Sequence, residues 1–153
     1  KQIWGGSRVT ASIYYIKDAN LPGPGGYTVS ITGGDYAKVA SVIELRGIDQ
    51  GGTVEATGGS LGNDCSNDGP NDTITTATAN DFIVTAVAVQ GLNSGSPKGN
   101  PQSPIEAHTN QSGSLGFKSG YVQNASTGMR SIGWDMTSCN PSAQALVAFK
   151  AAP

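Results

Sequence analysis

The sequence predicts an all-β protein, a single antiparallel β-sandwich of about nine strands. Apolar and polar residues alternate with period two along several short segments, as in strands with one buried face. Turns rich in glycine and proline separate these segments, in a chain that has 22 glycines and 8 prolines. No ten-residue window has the apolar spacing of an amphipathic helix. These three observations together indicate two packed sheets.

Nine segments are predicted to form strands: 9–16, 27–32, 36–46, 53–55, 73–75, 82–89, 115–123, 129–136 and 143–150. Segments 36–46 and 82–89 carry apolar residues on both faces, which favours positions inside a sheet. From the alternation we expect the following side chains in the core: Val29, Ile31, Ile43, Leu45, Val84, Trp134, Val147 and Phe149.

The turns are predicted from clusters of glycine and proline. Residues 21–26, 33–35, 51–52 and 58–59 carry this turn chemistry, because glycine adopts positive φ without steric cost. Residues 91–104 contain little besides Gly, Ser, Asn and Pro, which predicts a long exposed loop.

Length and charge restrict the class of protein. A chain of 153 residues suits one domain, 1–153, and only 13% of it is charged. The 9 basic and 11 acidic residues do not cluster, so we expect no nucleic-acid partner. No apolar run reaches the roughly 18 residues that span a bilayer, so no membrane insertion is expected. The start at Lys1, without a methionine or a signal peptide, indicates a mature product or a fragment.

The two cysteines, Cys65 and Cys139, lie in polar, turn-rich stretches. Free thiols there would be exposed, whereas a disulfide between two loops would stabilise a secreted protein. Closing a loop of about 75 residues would contribute roughly 4 kcal/mol to the free energy of unfolding. We therefore predict a disulfide and an extracellular setting, with two unpaired structural thiols as the alternative.

The strand-forming segments also resemble a known family. The similar stretches are SIYYIK at 12–17, YTVS at 27–30, VIELRGID at 42–49, TTATANDFI at 75–83 and ALVAFK at 145–150. They resemble jelly-roll-like β-sandwich modules of secreted environmental-bacterial proteins and of phage tail and fibre proteins. The resemblance implies a jelly-roll-like fold and no catalytic residues. Because members usually have further strands before the YY strand, it also implies that a strand could come from another segment or subunit.

An acidic stretch between residues 63 and 72 is the candidate metal site. Its Asp and Asn residues offer several hard oxygen ligands of the kind that calcium takes. A polar turn held by side-chain-to-backbone hydrogen bonds is the simpler interpretation, so no cofactor is expected by default. If calcium binds, we expect Asp64, Asp68 and Asp72 as its ligands.

Catalytic patterns are weak. Gly58–Ser60–Gly62 matches a nucleophile elbow, but the residues that follow cannot begin the helix that an elbow requires. His108 is the single histidine, so no multi-histidine metal site can form, and a solvated side chain is the simpler interpretation. Glu44 and Asp135 are the strand-borne acids that a glycoside hydrolase would need. For Glu44, whose face Arg46 shares, a surface pair or a cross-strand partner is simpler.

Aromatic rings could form a carbohydrate platform, since flat rings stack on the apolar faces of sugars. Trp134 shares a face with apolar neighbours, which predicts a core position. Tyr14 lies on a polar strand face and Trp4 has no clear partner strand, so these two are the predicted ligand contacts.

These observations favour a non-catalytic extracellular β-sandwich module that binds a ligand, such as a surface glycan, or acts in adhesion. The alternative is a structural component of a virion or filament, of the phage tail, fibre or decoration type, assembled by strand donation between subunits. A small glycoside or ester hydrolase is the remote alternative.

Overall fold

A computed structural model describes residues 2–5, 9–17, 20, 23, 25–32, 37–52, 54–62, 68–91, 96–99, 103–109, 115–136 and 140–153. For residues 2–5, 68, 99, 103–109 and 124 the description covers the backbone alone. Within these ranges no helix is long and apolar enough to cross a bilayer.

The described chain contains ten strands, in the following order: β1 (Gln2–Gly5), β2 (Thr10–Ile13), β3 (Ala56–Gly62), β4 (Asp68–Thr76), β5 (Asp81–Gln90), β6 (Ser96–Gly99), β7 (Ser103–Thr109), β8 (Leu115–Ala125), β9 (Gly128–Asp135) and β10 (Ser142–Phe149). Eight of them form two antiparallel sheets, a five-stranded sheet in the order β3-β10-β5-β8-β7 and a three-stranded sheet in the order β4-β9-β6. The remaining two, β1 and β2, pair with each other. The all-β sandwich predicted from the sequence is confirmed.

The first face of the five-stranded sheet packs against the three-stranded sheet. Leu146 of β10 and Ile83 of β5 pack against Ile74 of β4 and Ile132 of β9, and all four side chains are buried. Trp134 extends the same interface and is 1% exposed. Because successive strand residues point to opposite faces, these side chains form one continuous layer between the sheets.

A buried polar network crosses that layer. The Gln144 amide donates to the Thr85 hydroxyl over 3.0 Å and to the Ile132 carbonyl over 3.2 Å. The Trp134 indole N–H lies 3.4 Å from the same Thr85 oxygen. Since each of these groups is buried, the hydrogen bonds both satisfy polar atoms and fix the two sheets relative to each other.

The second face of the five-stranded sheet is covered by β2 and by chain without regular structure. Ala11 of β2 packs on Ala143 and Ala145, whose small side chains allow the close approach. Ile43 and Leu45 pack on a cluster that includes Phe149. Residues near 48 are held by an isolated bridge, in which Ile48 pairs with Ala151.

The predicted strand at 27–32 is wrong. Residues 27–32 join no sheet, and Val29 and Ile31, predicted to be core residues, are 66% and 54% exposed. Alternation shows only that one face of a segment can be buried. A strand also needs a hydrogen-bonded neighbour, and no described strand pairs with residues 27–32. Segment 37–46 likewise lies outside every sheet, although Ile43 and Leu45 are half-buried as expected. The remaining predicted core residues, Val84, Trp134, Val147 and Phe149, are buried.

Two predicted turns or loops are strands instead. The predicted loop at 91–104 contains β6 and the beginning of β7, because the polar residues pair with neighbouring strands. Gly58 and Gly59 lie inside β3. There the absence of a side chain permits close approach, since a Cβ at Gly58 would lie 2.8 Å from an Asp72 carboxylate oxygen.

Candidate ligand-binding groove

An open groove lies on the second face of the five-stranded sheet. Its volume is about 390 Å³. Segment 43–46 forms one wall, and Phe82 of β5 with Tyr121 and Gln123 of β8 forms the other. The groove exists because an irregular segment, rather than a hydrogen-bonded strand, covers this part of the sheet.

The alternation of segment 43–46 produces its wall. Ile43 and Leu45 point toward the sheet and pack against the cluster around Phe149, while Glu44 and Arg46 are exposed. At the next position, Gly47 has a φ of +71°, a left-handed conformation that favours glycine. The Gly47 carbonyl then accepts a hydrogen bond of 2.9 Å from the Ala152 N–H, which joins this segment to the residues after β10.

Two aromatic rings form the opposite wall. Phe82 and Tyr121 lie on adjacent strands and stack with an interplanar angle of 6° and a centroid distance of 5.2 Å. Both side chains are half-buried. The stack holds the rings in a fixed orientation, and both rings contribute apolar surface to the lining of the groove.

Charged and polar groups line the rim. The Arg46 guanidinium donates to the Glu44 carboxylate over 2.9 Å, and a hydrogen bond and the charge of Glu44 raise the pKa of Arg46. The two side chains are 87% and 75% exposed, so water screens the pair and its contribution to stability is small. A ligand's hydroxyl groups can therefore form hydrogen bonds with three exposed groups on this rim: the Arg46 guanidinium, the Glu44 carboxylate and the Gln123 amide.

Of the two predicted aromatic contacts, Tyr14 is not among the described residues that line this groove. Tyr14 is 67% exposed, as expected for a solvent-facing ring. The backbone of Trp4 lies in β1 opposite Ala11, and its side chain is outside the description. Trp134 was predicted to be a core residue, and this is confirmed.

The predicted calcium ligands fall only partly within the described chain. Asp64 lies outside it, and Asp68 is described only by its backbone. Asp72 lies in β4, where its carboxylate accepts the Gly59 N–H over 2.5 Å. Among the described residues, no three side chains of His, Cys, Asp or Glu converge as a metal site would require. The calcium site stays a prediction.

The structure describes the catalytic candidates Ser60 and His108 but neither cysteine. Cys65 and Cys139 both lie outside the described residues. Ser60 lies within β3, away from any strand-to-helix turn. His108 lies in β7, opposite Phe117, and only its backbone is described.

Glu44 and Asp135 lie on different layers of the molecule. Glu44 borders the groove, whereas Asp135 belongs to the three-stranded sheet and forms an ion pair of 3.6 Å with Lys98. The structure therefore does not bring them together as a catalytic pair. The simpler expectation, a surface pair of Glu44 with Arg46, is confirmed.

The sequence did not indicate the aromatic wall. Phe82 and Tyr121 are 39 positions apart, and each occurs in a segment that was expected to be core. Only the antiparallel pairing of Ile83 with Val122 and of Val84 with Tyr121 brings them together.

A scan of family models, a search of curated proteins and a search of solved structures each found no match to this chain. The resemblance to jelly-roll-like modules therefore stays a prediction, and the function is argued from the groove.

Proposed function

We propose that this chain is a non-catalytic, extracellular β-sandwich module that binds a carbohydrate in the groove between segment 43–46 and strands β5 and β8. One observation carries the proposal: a stacked aromatic pair and an exposed carboxylate–guanidinium pair line the same open groove. Sugars have apolar ring faces and many hydroxyl groups. They therefore match a site that combines aromatic surface with donors and acceptors.

A glycan array tests this proposal. We expect the protein to bind one class of glycan, and we expect Arg46→Ala and Glu44→Gln each to weaken that binding at least tenfold. Both side chains are exposed, so neither change should unfold the protein. Asp135→Asn is the matched control, because it alters an exposed charged pair on the other sheet. Binding that survives both groove variants would contradict the proposed site.

Two further measurements on the same array test the predicted roles of Tyr14 and of calcium. Tyr14→Ala asks whether the exposed ring near the N-terminus takes part in binding. A chelator asks whether calcium is needed, since loss of binding on chelation would support ligands in the stretch that includes Asp64, Asp68 and Asp72. The absence of binding to any glycan on the array would contradict the carbohydrate proposal.

The extracellular setting depends on the proposed disulfide. Support comes from the register of β3 and β10, in which Gly62 pairs with Ser142. Along the chain, Cys65 comes three residues after Gly62 and Cys139 three residues before Ser142. The intact mass before and after reduction and alkylation tests the bond. Alkylation of both thiols without prior reduction would contradict it.

The second candidate is a structural subunit of a virion or filament that assembles by strand donation. The alternating segment 27–32 favours it, because Tyr27, Val29 and Ile31 are all exposed and no described strand pairs with them. Such a segment can add to a sheet edge of another subunit. Analytical ultracentrifugation separates the candidates. A symmetric oligomer that Val29→Lys dissociates favours assembly, and a monomer favours the binding module.

A further inference from the structure

Two carboxyl groups meet at one end of the sandwich, where the chain crosses from β4 to β5. Glu55 precedes β3, and Asp81 is the first residue of β5. Asp81 is fully buried, and its Oδ2 atom has no hydrogen-bond partner once both carboxyls are taken as ionised. A buried carboxylate oxygen without a donor carries a large desolvation cost, so this contact needs an explanation.

The donors around the pair are already in use. Glu55 Oε1 accepts the N–H groups of Ala77 and Thr78, the latter over 2.8 Å. The Thr78 hydroxyl lies 2.6 Å from Glu55 Oε2 and 3.2 Å from Asp81 Oδ1. A hydroxyl has one hydrogen and can serve only one of these oxygens at a time. Asp81 also accepts a backbone hydrogen bond from Ala151, yet its Oδ2 atom stays without a partner. The two carboxyls that share the Thr78 hydroxyl are therefore short of one hydrogen.

No cation among the described residues compensates for the two charges. The pKa values of both groups respond to burial, to each other and to nearby hydroxyl and amide groups, with no lysine or arginine involved. On the neighbouring segments, Lys150 is exposed and Asp49 accepts the Gly51 N–H over 2.8 Å. Two adjacent carboxylates without a cation are relieved most simply when one of them takes a proton.

We propose that Glu55 and Asp81 form a proton-binding site, in which one shared proton locks the β4–β5 crossover to the segment before β3. With the proton present, Asp81 donates to Glu55, and Glu55 in turn holds the N–H groups of the turn at 77–80. Without it, the charge of the half-buried Glu55 lies beside the charge of the fully buried Asp81, and this end of the sandwich loosens.

The pKa values of the two groups move apart. Burial, then the hydrogen bond with Glu55 and its charge, raise the pKa of Asp81 from 3.8 to about 6. For Glu55, burial acts in the opposite sense to hydrogen bonds from Asp81, Thr78 and Ala77, and the hydrogen bonds dominate, so its pKa falls from 4.5 to about 2. Between pH 4.5 and 6 the folded pair thus binds more protons than the unfolded chain.

The sign of the pH dependence follows. As the pH rises through this window, the contribution of the pair to stability decreases, because Asp81 loses its proton only in the folded state. As the pH falls from 4.5 toward 2, the contribution also decreases, because Glu55 becomes protonated more readily in the unfolded chain. The contribution of the pair is therefore largest between about pH 4 and pH 5.

Carboxyl NMR titration of the full chain tests the proposal directly. We expect one aspartate carboxyl to titrate near pH 6 and one glutamate carboxyl far below its ordinary value. Assignment of the first resonance to Asp81 by its loss in Asp81→Asn completes the test. The proposal is overturned if no carboxyl titrates above pH 5.

Thermal unfolding between pH 4.5 and pH 8 gives a second measurement. The wild-type Tm should fall across this range, because unfolding near pH 5 releases a fraction of a proton from the pair. Asp81→Asn should remove this component, because an amide donates to Glu55 at every pH. Asp135→Asn, an exposed control, should keep it. An unchanged slope in Asp81→Asn contradicts the shared proton.

Calcium chloride added at pH 8 distinguishes a proton from a metal ion. We expect calcium to leave the difference in Tm between the wild type and Asp81→Asn unchanged, whether or not it binds at the acidic stretch 63–72. A Tm that rises in the wild type and not in Asp81→Asn would show that a cation, rather than a proton, joins the carboxyls, and would overturn the proposal.

Discussion

The two faces of the five-stranded sheet are covered in different ways. The first face packs against a second hydrogen-bonded sheet, and Ile83, Leu146 and Trp134 are at most 1% exposed there. The second face is covered by the β1–β2 pair and by a segment that joins no sheet, where Ile43 and Phe82 are only half-buried. The groove lies on the second face.

The difference teaches how one sheet serves stability and recognition at the same time. A sheet packs on another sheet at a nearly constant spacing of about 10 Å, so interlocking side chains leave little space between them. An irregular segment touches the sheet only where its apolar residues reach it. Gaps between those contacts stay open to ligands, and exposed polar residues such as Glu44 line them.

The largest expected effect comes from removing a large side chain from the layer between the two sheets. Trp134→Ala should lower the free energy of unfolding by about 3–5 kcal/mol, because a fully buried indole leaves a cavity. Leu45→Ala, on the second face, should cost less than about 2 kcal/mol, since its side chain is half-buried. Urea unfolding followed by circular dichroism measures both. Equal costs would show that the faces are packed equally well.

A buried charge in the polar network should have the next largest effect. Gln144→Glu removes the amide donor and places a carboxylate between the sheets, which should cost about 2–4 kcal/mol at pH 7. The cost should shrink as the pH falls and the new carboxyl takes a proton. Gln123→Glu is the matched control on the rim of the groove, where the change should stay within about 0.5 kcal/mol. Similar losses at both positions would contradict the role of the network.

The smallest expected effect is on the stability contributed by the groove rim. Arg46→Ala should leave the urea unfolding midpoint almost unchanged, because its ion pair with Glu44 is exposed to water. The same variant is expected to weaken glycan binding, so the two readouts separate recognition from folding. A clear fall in the unfolding midpoint would show that the pair helps to hold segment 43–46 on the sheet.

The central strands could be predicted from the sequence. Residues 82–89 carry apolar side chains on both faces, which predicted β5 inside a sheet, and residues 143–150 were predicted to form the strand that is β10. The alternation around Ile132 and Trp134 likewise predicted β9 and its buried side. The formation of these strands depends on their own apolar residues more than on which strands lie beside them.

Several segments around the central strands were predicted poorly, for a physical reason. Period-two alternation is the same in segment 27–32 as in a true half-buried strand, yet a strand also needs a partner with free backbone groups. Conversely, the polar residues of β6 have little strand propensity, and pairing with β9 makes them a strand. The exposed pair of Glu44 with Arg46 could be predicted because both residues lie on one short segment.

By itself the sequence determined the all-β class, the central strands and several of their buried residues, such as Trp134, Val84 and Val147, because these follow from the local periodicity of apolar side chains. Only the tertiary structure decided which segments acquire a neighbour, where the aromatic wall forms and how Asp81 meets Glu55. Those outcomes depend on hydrogen bonds and contacts between positions tens of residues apart, and local patterns do not specify them.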